Sequence, residues 1–212
     1  MTAIAQQPAR IGTNTLFGRV MGLVALTVLC ATLGVYVARD WGGASWFIAW
    51  LISLGCLIGL QVANARGNFG LAFGLLLLFG LLMGASVATT VNYYAQTDPE
   101  AVRQAFGATA LFVGVLGAGG YMTRKDLSFL YRFAFFALLA LLLAGIVLIF
   151  VQIPAAYTIY SFFGLAVFGL YVVIDFNRLR RAGSEQAIPL AAGIFLDVLN
   201  IFLFFLRIFG RR

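Results

Sequence analysis

Seven stretches of this chain each run for about 20 residues with almost no charge: Val20 to Ala38, Ala44 to Ala63, Gly70 to Val91, Val102 to Met122, Phe129 to Phe150, Pro154 to Phe176 and Ile188 to Phe209. A helix of that length crosses the roughly 30 Å hydrocarbon core of a bilayer. Strands of a membrane barrel would instead be about ten residues long and alternate in polarity. Because lipid offers no partner for backbone polar groups, continuous apolar runs of this kind fold as helices. The expected fold class is therefore all-α: a polytopic membrane protein with seven transmembrane helices. Short connections make residues 1–212 one transmembrane domain, with 1–18 a polar N-terminal segment. Composition agrees, since 63% of residues are hydrophobic and 10% charged, against about 45–50% and 25% in soluble domains.

The net charge of +7 does not describe a nucleic-acid surface. The basic residues are dispersed one to three at a time between apolar runs, which is topological information. Arg10, Arg19, Arg66, Arg124, Lys125, Arg178, Arg180 and Arg181 fall on the N-terminal side, and Arg39, Arg103, Arg207, Arg211 and Arg212 on the other. The excess places the N-terminus in the cytoplasm. Trp41, Trp46, Tyr93, Tyr94 and Tyr157 cluster at the opposite run ends, as interfacial anchors do. The first span, with no small-residue cleavage pattern nearby, reads as an uncleaved anchor. With no histidine in the chain, histidine acid–base chemistry and metal ligation are excluded, and proton sensing falls to carboxyl groups. Cys30 and Cys56 lie within apolar runs and read as small hydrophobes, with no disulfide and no metal.

The fourth run is the weakest helix former. Asp98 and Pro99 suit a cap and first turn, whereas Gly114, Gly117, Gly119 and Gly120 crowd its second half. No Lys-Ser or Lys-Thr follows them, so a phosphate loop is excluded. Close helix packing is the expectation, as for the pairs Gly55/Gly59, Gly70/Gly74 and Gly80/Gly84 at four-residue spacing.

Five of the seven acidic residues, Asp40, Asp98, Glu100, Asp126 and Glu185, fall in or beside loops. Asp175 and Asp197 do not. A carboxylate inside a span costs roughly 2.5–3.5 kcal/mol on insertion scales and marks a functional site by default. The short link around Gly183 to Ala187 makes their helices adjacent and antiparallel. If the sixth helix continues through its arginines to Gly183, the two carboxyls lie about 10 and 12 Å deep and can meet. If it stops at Leu179, the depths separate to about 6 and 18 Å. Two carboxyls in a poorly hydrated site cannot both ionise cheaply, so a meeting pair shares one proton. The plainer reading of Asp175 is a helix-end residue paired with Arg178. Asp197 has Asn200 at i+3 on its own face.

The segment ending Gly169-Leu-Tyr-Val-Val-Ile-Asp175-Phe-Asn177-Arg178-Leu179, with the run from Ala187 through Leu196-Asp197-Val198-Leu199-Asn200 to Gly210, resembles the two C-terminal helices of the Bax inhibitor-1 family, the transmembrane Bax-inhibitor-motif proteins with bacterial members. Where that family carries Asp-Thr-Gln, this sequence has Asp175-Phe176-Asn177. The resemblance implies six helices around a central seventh and a di-aspartyl proton sensor, Asp175 and Asp197, gating a calcium leak. It also implies a basic latch at the end of the second helix, where Arg66 is similar in position. Arg178 and Asn200 are further candidate supports.

The leading expectation is thus a pH-sensitive cation leak channel with calcium as permeant ion, the two aspartates being its hard oxygen ligands, and no resident cofactor. The alternative is a regulatory protein that binds a membrane protease or another membrane partner. An intramembrane aspartyl protease is disfavoured because Asp175 follows Ile174 and Asp197 follows Leu196, without the Tyr-Asp and Gly-x-Gly-Asp patterns of such enzymes. No enzyme is expected. The resemblance to bacterial members implies a multi-pass protein of the bacterial inner membrane.

Overall fold

A computed structural model describes residues 13–151 and 154–210. Most of the polar segment 1–18, together with Arg211 and Arg212, lies outside the described residues, and so does Arg10. The described chain forms α1 (Thr13–Val37), α2 (Ser45–Ala65), α3 (Phe69–Thr97), α4 (Pro99–Met122), α5 (Leu130–Phe150), α6 (Pro154–Leu179) and α7 (Ala187–Phe209), with a 3₁₀ turn at Ser184–Gln186. Each of the seven contains a stretch long and apolar enough to cross a membrane, which makes this a multi-pass membrane protein.

Helix ends follow local chemistry. Asn68 caps α3 by accepting from the Leu71 N–H at 3.1 Å, and Asp98 caps α4 by accepting from Ala101 N–H at 3.0 Å. Helix α3 runs six residues past the expected boundary at Val91 because polarity alone does not end a helix. It stops at Asp98, whose φ of −149° is forced out of the helical region by the ring of Pro99. Gly43 and Gly67 turn the chain at positive φ, a conformation that disfavours a side chain.

Helix α7 occupies the middle, packed against α1, α2, α3, α4 and α6, while α5 is held mainly by α6. Edge-on ring pairs fix α7 on two sides, Phe79 to Phe195 at 5.7 Å and Phe112 to Phe205 at 5.6 Å. The glycine pairs behave unequally. Gly80 and Gly84 of α3 bring its backbone against Thr27 and Ala31 of α1, but nothing lies within 4 Å of a side chain at Gly55, Gly70 or Gly74. Those three face outward, so four-residue spacing alone does not choose the buried face. The glycine-rich half of α4 remains helical. There Gly120 admits the backbone of Val173 and Gly117 the ring of Phe176, whereas Gly119 meets nothing.

Candidate functional site

The C-terminal end of α6 is shaped by what its arginines hold. Arg181 pairs with Asp126 at 2.8 Å, and Arg180 donates to the Met122 carbonyl at 3.3 Å, both in or beside the α4–α5 loop. Between them Asn177, 1% exposed, donates to the carbonyls of Thr123 at 2.9 Å, Lys125 at 3.2 Å and Gly120 at 3.3 Å. Its Oδ1 accepts from Leu127 N–H at 3.2 Å and from Arg181. Hydrogen bonds from the Ser128 hydroxyl and backbone, then Arg181, hold the Asp126 carboxyl down at about 2. Helix α6 ends at Leu179 and does not continue to Gly183, the last backbone bonds tightening to Arg181 N–H on the Arg178 carbonyl while both arginines reach to that loop.

The consequence is a register. Asp175 lies opposite Gly193: a side chain at Gly193 would come within 2.7 Å of Asp175 Oδ2. Gly164 lies opposite Phe204, with the ring filling the space of the missing side chain. Asp197 is therefore one turn beyond the residue that faces Asp175. Residues at i and i+4 have Cβ atoms roughly 5–6 Å apart, which sets the scale of separation between the carboxylate seated on Gly193 and Asp197. Of the two arrangements the sequence left open, α6 takes the one that stops at Leu179, and with the 3₁₀ turn taking up the link the aspartates are offset by one turn. Asn64 of α2 fixes that turn by donating to the Glu185 carbonyl at 2.9 Å.

Both aspartates are only 4% exposed. Asp175 opens on a cavity of about 450 Å³ between α2, α5, α6 and α7, lined by Gln61, Tyr131, Arg178, Gln186 and Gly193 among others. Arg178 Nη1 stands 3.7 Å from Asp175 Oδ1 and donates to the Tyr131 hydroxyl at 3.2 Å. Its guanidinium also lies over the Tyr131 ring, 5.2 Å from the centroid. Neither Asp175 Oδ1 nor Asp197 Oδ2 has a hydrogen-bond partner among the described residues. Among the described residues no third carboxylate or thiol joins them there. A buried carboxylate on a polar cavity, with a second one helical turn away, can take up a proton or offer oxygen ligands to a hard cation.

Asp175 and Arg178 are thus brought together, with Asp197 one turn away along α7. Arg66 is not: it is the exposed C-cap of α2, and the polar group α2 presents to the cavity is Gln61. Asn200 donates to its own helix at Leu196 O, 2.8 Å away, and lines a separate cavity with Tyr157, Tyr160 and Arg207. Sequence reasoning missed Gln61, Tyr131 and the loop-strapping role of Asn177. Gln61 was visible as the polar residue inside an apolar run, whereas only the packing of α5 on α6 reveals Tyr131.

Comparison with known proteins gives the family of the chain. The family described as Inhibitor of apoptosis-promoting Bax1 matches residues 13–212. A Deinococcus radiodurans protein of uncharacterized function is 32% identical over 192 residues, covering 78% of this chain and 83% of its own. An uncharacterized membrane protein of Vibrio cholerae is 28% identical over 162 residues, covering 76% of this chain and 72% of its own. One from Streptococcus pyogenes serotype M1 is 27% identical over 164 residues, covering 74% and 70%.

Proposed function

This chain belongs to the Bax inhibitor family, and from that premise we propose that it is a pH-regulated cation leak of the bacterial inner membrane, with calcium the permeant ion. The observation that carries the reading is the seating of the Asp175 carboxylate on Gly193, one turn from Asp197, beside a polar cavity. In this reading protonation of the two aspartates, one turn apart and coupled through their charges, sets whether the end of α6 stays against α7. Arg178, already 3.7 Å from Asp175 and braced by Tyr131, serves as the latch. Arg66 sits at the same end of the bundle and adds positive charge to the face that would be cytoplasmic with the N-terminus inside. Calcium is the cargo, and two carboxylates suit passage better than storage, which takes six to eight oxygens.

The test is calcium flux into proteoliposomes across a pH series. Wild type is expected to show pH-dependent flux, and Asp175→Asn and Asp197→Asn to flatten that dependence. Unchanged pH dependence in both variants would sink the sensor. Absence of flux together with a specific co-purifying membrane protease would favour the regulatory alternative.

A further inference from the structure

The facing stripes of α6 and α7 carry a second feature that the aspartates do not use. On α6, Tyr160, Gly164, Phe168, Tyr171, Asp175 and Arg178 recur at spacings of three and four and so share one face. On α7, Gly193, Leu196, Asn200, Phe204 and Arg207 do the same. The cavity at Asp175 occupies one end of this seam. A second cavity of about 280 Å³, lined by Tyr157, Tyr160, Asn200, Phe204 and Arg207 with part of α5, occupies the other.

Between the cavities runs an unbroken chain of rings. Tyr131, at the first cavity, packs on Tyr171 at 5.8 Å; Tyr171 packs on Phe168 at 6.2 Å; Phe168 on Phe204 at 6.0 Å; and Phe204 on Tyr160, at the second cavity, at 5.7 Å. Tyr171, Phe168 and Phe204 are all buried. From Gly164 to Tyr171 is seven residues, so the carbon-lined section is about 10 Å thick. Gly164 is the socket that admits the Phe204 ring.

We propose that the α5–α6–α7 seam is the conduction route of this protein, with the two cavities as its vestibules and the Phe168–Phe204 ring pair as a hydrophobic gate. A constriction walled by carbon excludes water and hence ions until it widens. Asp197 stands level with Tyr171 in the α6–α7 register, at the Asp175 edge of this gate, so movement at the aspartate pair acts on the ring next to it. Arg207 lies over Tyr157 and Tyr160 at 6.0 and 5.9 Å and places a positive charge in the second vestibule, an electrostatic barrier to cations in series with the ring gate. This inference rests on the leak reading and adds its route and gate.

The experiment measures resting calcium flux in proteoliposomes at the pH where wild type is closed. Phe204→Ala and Phe168→Ala are expected to raise it several-fold, and Phe204→Leu, which keeps most of the bulk, to leave it near wild type. Gly164→Ala retains both rings but evicts Phe204 from its socket, and should also leak; it serves if the larger truncations do not fold. Phe79→Ala removes the comparable edge-on partner of Phe195 on another side of α7 and should not leak. Thermal melting in detergent confirms that each variant is folded. If wild type shows pH-dependent flux while the folded Phe204, Phe168 and Gly164 variants rest at its closed level, the route is overturned and the leak reading stands. Flux in those variants with none in wild type at any pH keeps the route and overturns the pH-gated reading. No flux in any of them overturns both.

Discussion

Two helix seams in this protein use glycine to opposite ends. Along α1 and α3, a side chain at Gly34 would run into the Leu81 carbonyl, one at Gly84 into Ala31, and one at Gly80 would come within 2.7 Å of Thr27. Backbone fills the space. Even the buried Thr27 hydroxyl turns back to its own helix, donating to Leu23 O at 2.8 Å. Along α6 and α7 the space at Gly193 is filled by the Asp175 carboxylate, and the space at Gly164 by the Phe204 ring. A backbone cannot leave such a space without separating the helices, but a side chain vacates it by changing rotamer. The first seam is therefore a fixed joint, and the second can rearrange while the bundle stays folded.

The contrast breaks most visibly at Gly84. Gly84→Ala forces a methyl group into the Ala31 carbonyl, which has no room to give, and should cost about 3 kcal/mol, the upper part of the overpacking range. Thermal melting in detergent checks this; a melting point within a degree of wild type would show that the α1–α3 joint is as adjustable as the other. Next comes the strap that ends α6. Asn177→Ala takes away the side-chain donor to the carbonyls of Thr123, Lys125 and Gly120 at once and should cost about 2 kcal/mol, far more than Asn200→Ala, whose amide binds only its own helix. Limited proteolysis at Lys125 reads the loop directly and should accelerate in the first variant only.

Smaller again in stability is Gly193→Ala. The new methyl group meets only the flexible end of Asp175, so its cost should be about 1 kcal/mol, that of an adjusted rotamer. Its effect should appear in the pH dependence of flux, because the carboxylate is moved from its seat. The smallest effect belongs to Asp126, which is exposed. Its carboxyl lies at about 2 in the folded protein, below the ordinary 3.8, through Ser128 and then Arg181. A depressed value stabilises the fold fully above the ordinary one and loses that contribution as pH falls from about 4 to about 2. Asp126→Asn should lower the melting point slightly at pH 6 and by nothing near pH 2.

Much of this was legible beforehand. Hydrophobic runs located all seven helices, because in lipid an apolar segment of that length has no other way to satisfy its backbone. Asp98 with Pro99 marked the start of α4, and the paired aspartates stood out because an unpaired carboxylate in a span is costly. What stayed hidden depends on faces and ends. Gly55, Gly70 and Gly74 have the same spacing as Gly80 and Gly84, yet only the latter pair faces α1. Arg66 and Gln61 are five residues apart on one helix, and rotation about its axis decides that Gln61 lines the cavity.

By itself, then, the sequence determined that the chain crosses a membrane seven times and that Asp175 and Asp197 lie on adjacent antiparallel helices, since both follow from local hydropathy and a short link. Only the tertiary structure decided how those aspartates stand to each other. That question turns on where α6 stops, and α6 stops at Leu179, where Asn177, Arg180 and Arg181 tie its end to the α4–α5 loop some fifty residues earlier in the chain. One turn of register, about 6 Å along a helix, separates a level pair from a stepped one, and no local pattern in α6 or α7 encodes it.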